Sequence, residues 1–346
     1  AVVVLEHRFR PRAFERVTEE TAARWPVVAD LFLRLEAARS SPSPAAGAAS
    51  EPFAVATETS TEAPTRELRR AYPEILGASP ALRRALLALD AAVDAELPVL
   101  VRGETGTGKE LFARALHDRG PRRAAPFVAV NCAAIADSVF EAELFGHARG
   151  AFTGAVRDQP GRVEAAQGGT LFLDEVSEIA PPLQAKLLRF LQEKEFERLG
   201  ENQTRRADVR VITATNRDLE EEVKRGRFRE DLLFRLNVVE VKIPPLRERA
   251  EDILPLARHF LAFFARAAKR PVMELSRDAE AVLQSYPWPG NIRELRNAIE
   301  RATILWPARV IEPAALPERI VAHSNAGPSL GGKFTVEEIT REHIER

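Results

Sequence analysis

The sequence predicts an α/β fold, a central parallel sheet flanked by helices, followed by a small all-α domain. Three observations predict it. Apolar runs at residues 97–101, 171–173 and 209–214 each end at polar or Gly-rich residues, as buried strands do. Helical patterns at residues 82–92 and 110–116 flank the first of them, the alternation that builds βαβ units. Beyond Pro244-Pro245 the spacing turns helical, over residues 253–268, 278–285 and 292–305.

The first strand runs straight into Gly103-Glu104-Thr105-Gly106-Thr107-Gly108-Lys109. A Gly-rich turn between strand and helix points successive backbone N–H groups inward, around phosphate oxygens. The N-terminus of the following helix adds partial positive charge. Lys109 then reaches the outer phosphates of a nucleotide as a point charge. Such loops usually end in Lys-Ser or Lys-Thr, whose hydroxyl helps hold magnesium. Here Glu110 stands in that place, so a metal leans on other carboxylates and on water.

Those carboxylates are Asp174 and Glu175, at the end of the second strand. Ligands of open α/β sheets bind at the C-terminal tips of the strands. There Asp174 holds Mg²⁺, and Glu175 orients and polarises an attacking water. The third strand ends at Thr215-Asn216. Asn216 suits either of two tasks: positioning that water, or capping a helix that starts near Asp218.

These motifs, with the run Gly150-Ala151-Phe152-Thr153-Gly154-Ala155, resemble the central AAA+ P-loop ATPase domain of bacterial sigma-54-dependent transcription activators, the enhancer-binding proteins. The matching stretches include GETGTGKE, ELFGHARGAFTGA, GGTLFLDEV, ATNRDL, GRFREDLLFRLNVV, PPLRERAEDI and WPGNIRELRN, and span about residues 72–317. The resemblance implies ATP and Mg²⁺ as cofactors and hydrolysis of ATP to ADP and phosphate. It implies that residues 150–155 contact sigma-54, with Phe152 and Thr153 as the contact pair. Glycines at both ends suit a tight, mobile loop that exposes an aromatic ring. Arg229 and Arg235 are implied to include arginine fingers that reach a neighbouring subunit's nucleotide. The active form is then a homo-oligomer, a hexameric ring in the family. An internal pair of Arg229 with Glu230 or Asp231 is the plainer reading of those residues alone. Arg293 matches the family's lid sensor arginine, Asn131 an asparagine that holds the catalytic glutamate inactive, and Ile75 the place where the chain passes the adenine. Residues 199–206 match a second surface loop that moves with the first.

Composition agrees with an ordinary globular chain. The 346 residues carry a formal net charge of −1, so no global basic signal points to nucleic acid. One cysteine, Cys132, excludes an internal disulfide and fits a reducing cytoplasm. No run has transmembrane length, and no signal peptide is present.

The expected domains are a regulatory remnant, GAF-like, at 1–39, a Ser/Pro/Ala-rich linker at 40–69, the ATPase core at 70–243, the helical lid at 244–318, and a linker plus first helix of a Fis-type helix-turn-helix at 319–346. The only methionine is Met273 and the chain opens on Ala1, so it reads as part of a longer product. Enhancer DNA is expected to be bound only through a domain that continues past residue 346. Two rivals remain at this level: another AAA+ machine, and a nucleotide-switched binding module that does not hydrolyse.

Overall fold

The computed structural model describes residues 71–325. The expected N-terminal remnant, the linker that follows it and the helix at 334–346 lie outside the described residues.

The first described helix, α1 (Pro80–Ala92), starts two residues before the apolar pattern does. Ser79 caps it by accepting from the Leu82 N–H, and Pro80 takes the first turn, where a missing N–H costs nothing. Strand β1 (Val99–Arg102) feeds the glycine-rich loop, and α2 (Lys109–Arg119) leaves it. Then come β2 (Phe127–Asn131), α3 (Asp137–Phe145), β3 (Thr170–Asp174), α4 (Pro181–Glu193) and β4 (Arg210–Thr215). Helices α5 (Leu219–Lys224) and α6 (Glu230–Leu236) and strand β5 (Val239–Lys242) complete the core. The five strands form one parallel sheet in the order β2-β3-β4-β1-β5.

Buried parallel strands read as unbroken apolar runs because both faces are covered. Strand β3 shows why: Leu171 and Leu173 pack into the cluster on one face, and Phe172 into the cluster on the other. Strands β2 and β5 were not foreseen. In β5, Val239 and Val241 are buried while Glu240 and Lys242 alternate with them, a four-residue edge strand too short to stand out in sequence.

The lid consists of α7 (Ile253–Ala267), α8 (Arg277–Ser285), α9 (Asn291–Leu305) and α10 (Glu318–Asn325) around a fully buried Trp288. Helix α10 packs on this core through Ile320. A two-residue parallel pairing of Glu274-Leu275 with Val310-Ile311 interrupts the all-helical pattern.

Two hairpins project from the core. One pairs Gly146-His147 with Gln159-Pro160 and carries the 150–155 run; the other pairs Glu195-Phe196 with Arg205-Arg206.

Candidate functional site

The tips of β1, β3 and β4 meet at one crevice. Gly103, just past β1, donates its N–H to Thr215 O at 3.2 Å, so the loop begins as an extension of the sheet. Gly108, at φ +97°, precedes α2, and Thr107 is pinned inside the loop by donating to Glu104 O at 2.8 Å. Lys109 is buried. Its Nζ lies 3.0 Å from Gly103 O and 3.1 Å from Glu175 Oε1. A buried ammonium needs such partners, and an arriving phosphate supplies further ones.

Glu175 stands just past the strand tip in a left-handed backbone conformation, φ +53°. Strain of this kind persists where surrounding structure enforces it. Its second oxygen, Oε2, accepts from Asn216 N at 3.1 Å. Thus one carboxylate is oriented by the phosphate loop on one side and by the tip of β4 on the other. Asn216 is brought to the same place: its Nδ2 donates to Thr105 Oγ1 at 2.8 Å. The alternative, that Asn216 caps the next helix, does not hold. Asp218 does that, accepting from Glu220 N and Glu221 N.

Asp174 accepts from Glu175 N at 3.1 Å. Burial, and then the adjacent Glu175 charge, push its carboxyl above the usual aspartate range, which Lys109 partly offsets. A half-buried acid short of positive charge suits a cation. No group of three or more acids, histidines or cysteines gathers among the described residues. That donor set fits Mg²⁺, which takes one or two carboxylates and leaves the rest to phosphates and water.

Other expected residues fall differently. The Asn131 Oδ1 accepts from its own chain, at Ala133 N and Ala134 N, and no hydrogen bond joins it to Glu175 among the described residues. It is nevertheless the register partner of Asp174 across β2 and β3. Glu110 turns to Arg114, 3.4 Å away on the exposed face of α2. Ile75 is buried in the core beneath α1. Arg229 forms the internal pair with Asp231, Nη2 to Oδ2 at 2.7 Å, and Arg235 donates to Leu191 O at 3.2 Å. Cys132 is a core residue whose thiol burial pushes up to about 12.

The lid closes on the phosphate loop through residues that the motif reading passed over. Arg247 grips Glu104 bidentately at 2.6 and 2.8 Å, which holds the Glu104 carboxyl below its usual range. Asn291 is fully buried at φ +51°. Its Nδ2 donates to Thr105 O at 3.1 Å and its Oδ1 accepts from Leu246 N at 2.7 Å. Both residues lie in stretches already seen to match, PPLRERAEDI and WPGNIRELRN, yet nothing in their spacing shows the contact. Arg293 brings its backbone N–H to 3.3 Å from Gly106 O, with its side chain exposed over the loop.

On the hairpin that carries residues 150–155, Phe152 is 42% exposed, though its ring meets His147 edge-on with centroids 4.9 Å apart. Thr153 and Gly154 are exposed as well, whereas Ala155 is buried. The hairpin base is tied to the second hairpin: Ala148 N donates to Leu199 O and Leu199 N to Gly146 O, each at 2.9 Å.

A phosphate loop, paired acids, a strand-tip amide and a helical lid on one parallel sheet define a P-loop nucleotide-binding domain of the AAA+ class. Comparison with known proteins narrows this. Residues 75–242 match the sigma-54 interaction domain and residues 247–331 the AAA+ ATPase lid domain. The chain belongs to this sigma-54 activator family. It is 46% identical over 283 residues to the alginate biosynthesis transcriptional regulatory protein AlgB of Pseudomonas aeruginosa, covering 82% of this chain and 63% of that one. It is 50% identical over 257 residues to the transcriptional regulatory protein ZraR of Klebsiella oxytoca, covering 74% and 58%. The crystal structure of NtrX from Brucella abortus in complex with ATP superposes with a TM-score of 0.68 at 35% identity, over 82% of this chain and 64% of that one. The chain therefore spans less than two thirds of the length of each of these proteins. No described helix is long and apolar enough to cross a membrane.

Proposed function

We propose that this chain binds ATP with Mg²⁺, hydrolyses it between subunits of a homo-oligomeric ring, and uses the cycle to remodel sigma-54 RNA polymerase at the promoter. The observation that carries the proposal is the double hold on Glu175, by Lys109 at 3.1 Å and by Asn216 N at 3.1 Å. A carboxylate fixed in this way beside a phosphate loop is placed to orient a water for in-line attack on the γ-phosphate. Lys109 turns from Glu175 toward phosphate when nucleotide enters, which frees Glu175 to accept the water's proton. Asp174 holds the metal. Mg²⁺, when bound, neutralises charge developing on the phosphate oxygens.

Arg229 and Arg235 supply positive charge to the nucleotide of the adjacent subunit. In the isolated chain Asp231 occupies Arg229, and engagement of a neighbour's phosphate replaces that exposed pair, whose own contribution is small. The exposed Phe152 and Thr153 form the contact to sigma-54, and the shared hydrogen bonds of the two hairpins transmit the movement. The family's ring is hexameric.

The test is ATPase rate per subunit against protein concentration, for the chain and for Glu175→Gln and Arg235→Ala. A steep rise with concentration, abolished by both substitutions, is the expected result. Turnover at a rate flat with concentration overturns catalysis shared between subunits, and tight ATP binding without turnover overturns hydrolysis in favour of a nucleotide-gated binding module.

A further inference from the structure

Two separate connections join the segment just past Glu175 to the segment that carries Arg229. The first is a single side chain. Gln184 on α4 is fully buried, and its Nε2 donates to Ile179 O at 2.8 Å and to Arg227 O at 2.9 Å. Its Oε1 accepts the Arg229 N–H at 2.8 Å. A carboxamide offers two donors and an acceptor at one carbon, and here all three functions serve backbone groups of two different loops.

The second connection is ionic. The Glu222 side chain, only 4% exposed, takes Arg227 bidentately at 2.6 and 2.7 Å. Arg225 Nη1 stands 3.5 Å from its Oε1 and Arg217 Nη1 3.8 Å from its Oε2. Three guanidinium groups thus surround one buried carboxylate and hold it ionised, with the Arg227 hydrogen bonds first among the causes. Arg217, next to Asn216, reaches back to Glu178 Oε1 at 2.7 Å. Glu178 in turn donates its N–H to Glu175 O at 3.0 Å. The Glu175 backbone and the Arg229 backbone are therefore connected without a break.

We propose that Gln184 is a positioning residue for the arginine finger, with Glu222 as its ionic counterpart. Together they fix the Arg229 backbone relative to the loop that follows Glu175. The Arg229 side chain is 47% exposed and, among the described residues, held only by its near neighbour Asp231, so its reach is set by where its backbone is pinned. A displacement of about 1 Å at such a pivot costs on the order of 100-fold in rate. The inference rests on the reading that Arg229 acts on the neighbouring subunit's nucleotide, and the test separates the two.

The test is subunit mixing. A Glu175→Gln subunit lacks its water-orienting carboxylate but keeps its finger. A subunit with a damaged finger keeps its own carboxylate. Mixed, the two restore turnover at the sites where a good finger meets a good carboxylate. Arg229→Ala mixed with Glu175→Gln is the reference. Gln184→Met and Glu222→Gln, each alone, are expected to lower the ATPase rate about 10- to 100-fold, with affinity for a fluorescent ATP analogue unchanged within about twofold. Each is expected to regain rate on mixing with Glu175→Gln, as the reference pair does. If the reference pair regains activity and neither variant does, the positioning role is wrong and the shared site stands. If the reference pair itself gains nothing, the trans-acting reading fails, and the inference with it. Should Gln184→Met fold poorly by thermal melt, Glu222→Gln decides, since it leaves the buried carboxamide untouched.

Discussion

The chain has two glycine-rich runs, and they use glycine for opposite reasons. In the phosphate loop, a Cβ on Gly106 would lie 2.3 Å from Gly290 O and 3.0 Å from the Arg293 Cβ. Space is what that glycine provides, and the lid fills it. At Gly150 and Gly154 the backbone is also left-handed, yet nothing lies within 4 Å of an added Cβ. Those glycines provide only conformational freedom. The first run is held by protein contacts from both the core and the lid, which is the preorganisation a phosphate site needs. The second is free at its tip, as the proposed contact to sigma-54 requires of a loop that moves. Between them stands Gly200, whose Cβ would come within 2.7 Å of Ala151, where the free loop touches its neighbouring hairpin.

Substitutions sharpen this contrast, and the largest effects belong to the held loop. Lys109→Ala removes a buried charge-assisted contact to phosphate and is expected to weaken ATP binding about 100-fold, read by calorimetric titration. Gly106→Ala combines a left-handed φ of +82° with a backbone clash, and should cost about 2 kcal/mol or more in thermal or denaturant unfolding while opening the lid. An unchanged melting temperature for Gly106→Ala would break the comparison.

Asp174→Asn tests the held site from the electrostatic side. The Asp174 carboxyl is raised in the fold by burial and by Glu175, so its protonated form is favoured there. The stabilisation this gives is complete below the ordinary aspartate value of 3.8 and is lost as pH rises through the raised folded value. Asparagine keeps the neutral form at every pH. The variant should therefore melt higher than the parent near pH 8, with the gap closing in acid, while losing ATPase activity.

The smallest effects on stability and turnover belong to the free loop. Gly154→Ala meets only the left-handed penalty, about 1 kcal/mol, and should shift the melting temperature little. Phe152→Ala should leave the ATPase rate within about twofold, since the ring is an exposed side chain whose aromatic contact is with His147 of its own hairpin, while abolishing capture of sigma-54 in a pulldown.

Much of the site is legible because its residues are consecutive. The run from Gly103 to Lys109, and Asp174 with Glu175, each carry chemistry at fixed short spacing, and the structure brings both to one end of the sheet, at the tips of β1 and β3 with β4 between them. Asn216 is legible as a polar residue at a strand end, but its partner, Thr105, lies 111 positions away. Asn131 shows the limit: its place in the motif suggests a hold on Glu175, whereas its carboxamide caps its own short helix here. The edge strands β2 and β5 were missed because four or five residues with mixed burial carry too weak a period.

The sequence by itself determined the local devices: the loop that cradles phosphate, the acids that follow an apolar run, and the glycine-bounded aromatic tip. Each depends on neighbours in the chain, where backbone geometry and residue type suffice. Tertiary structure decided what holds them in relation to one another. The Arg247–Glu104 grip, the buried Asn291, the Gln184 hold on Arg227 and the Arg217–Glu178 pair join residues tens to nearly two hundred positions apart. No periodicity records such contacts, because packing of the sheet and lid brings those groups together only after the local elements have formed.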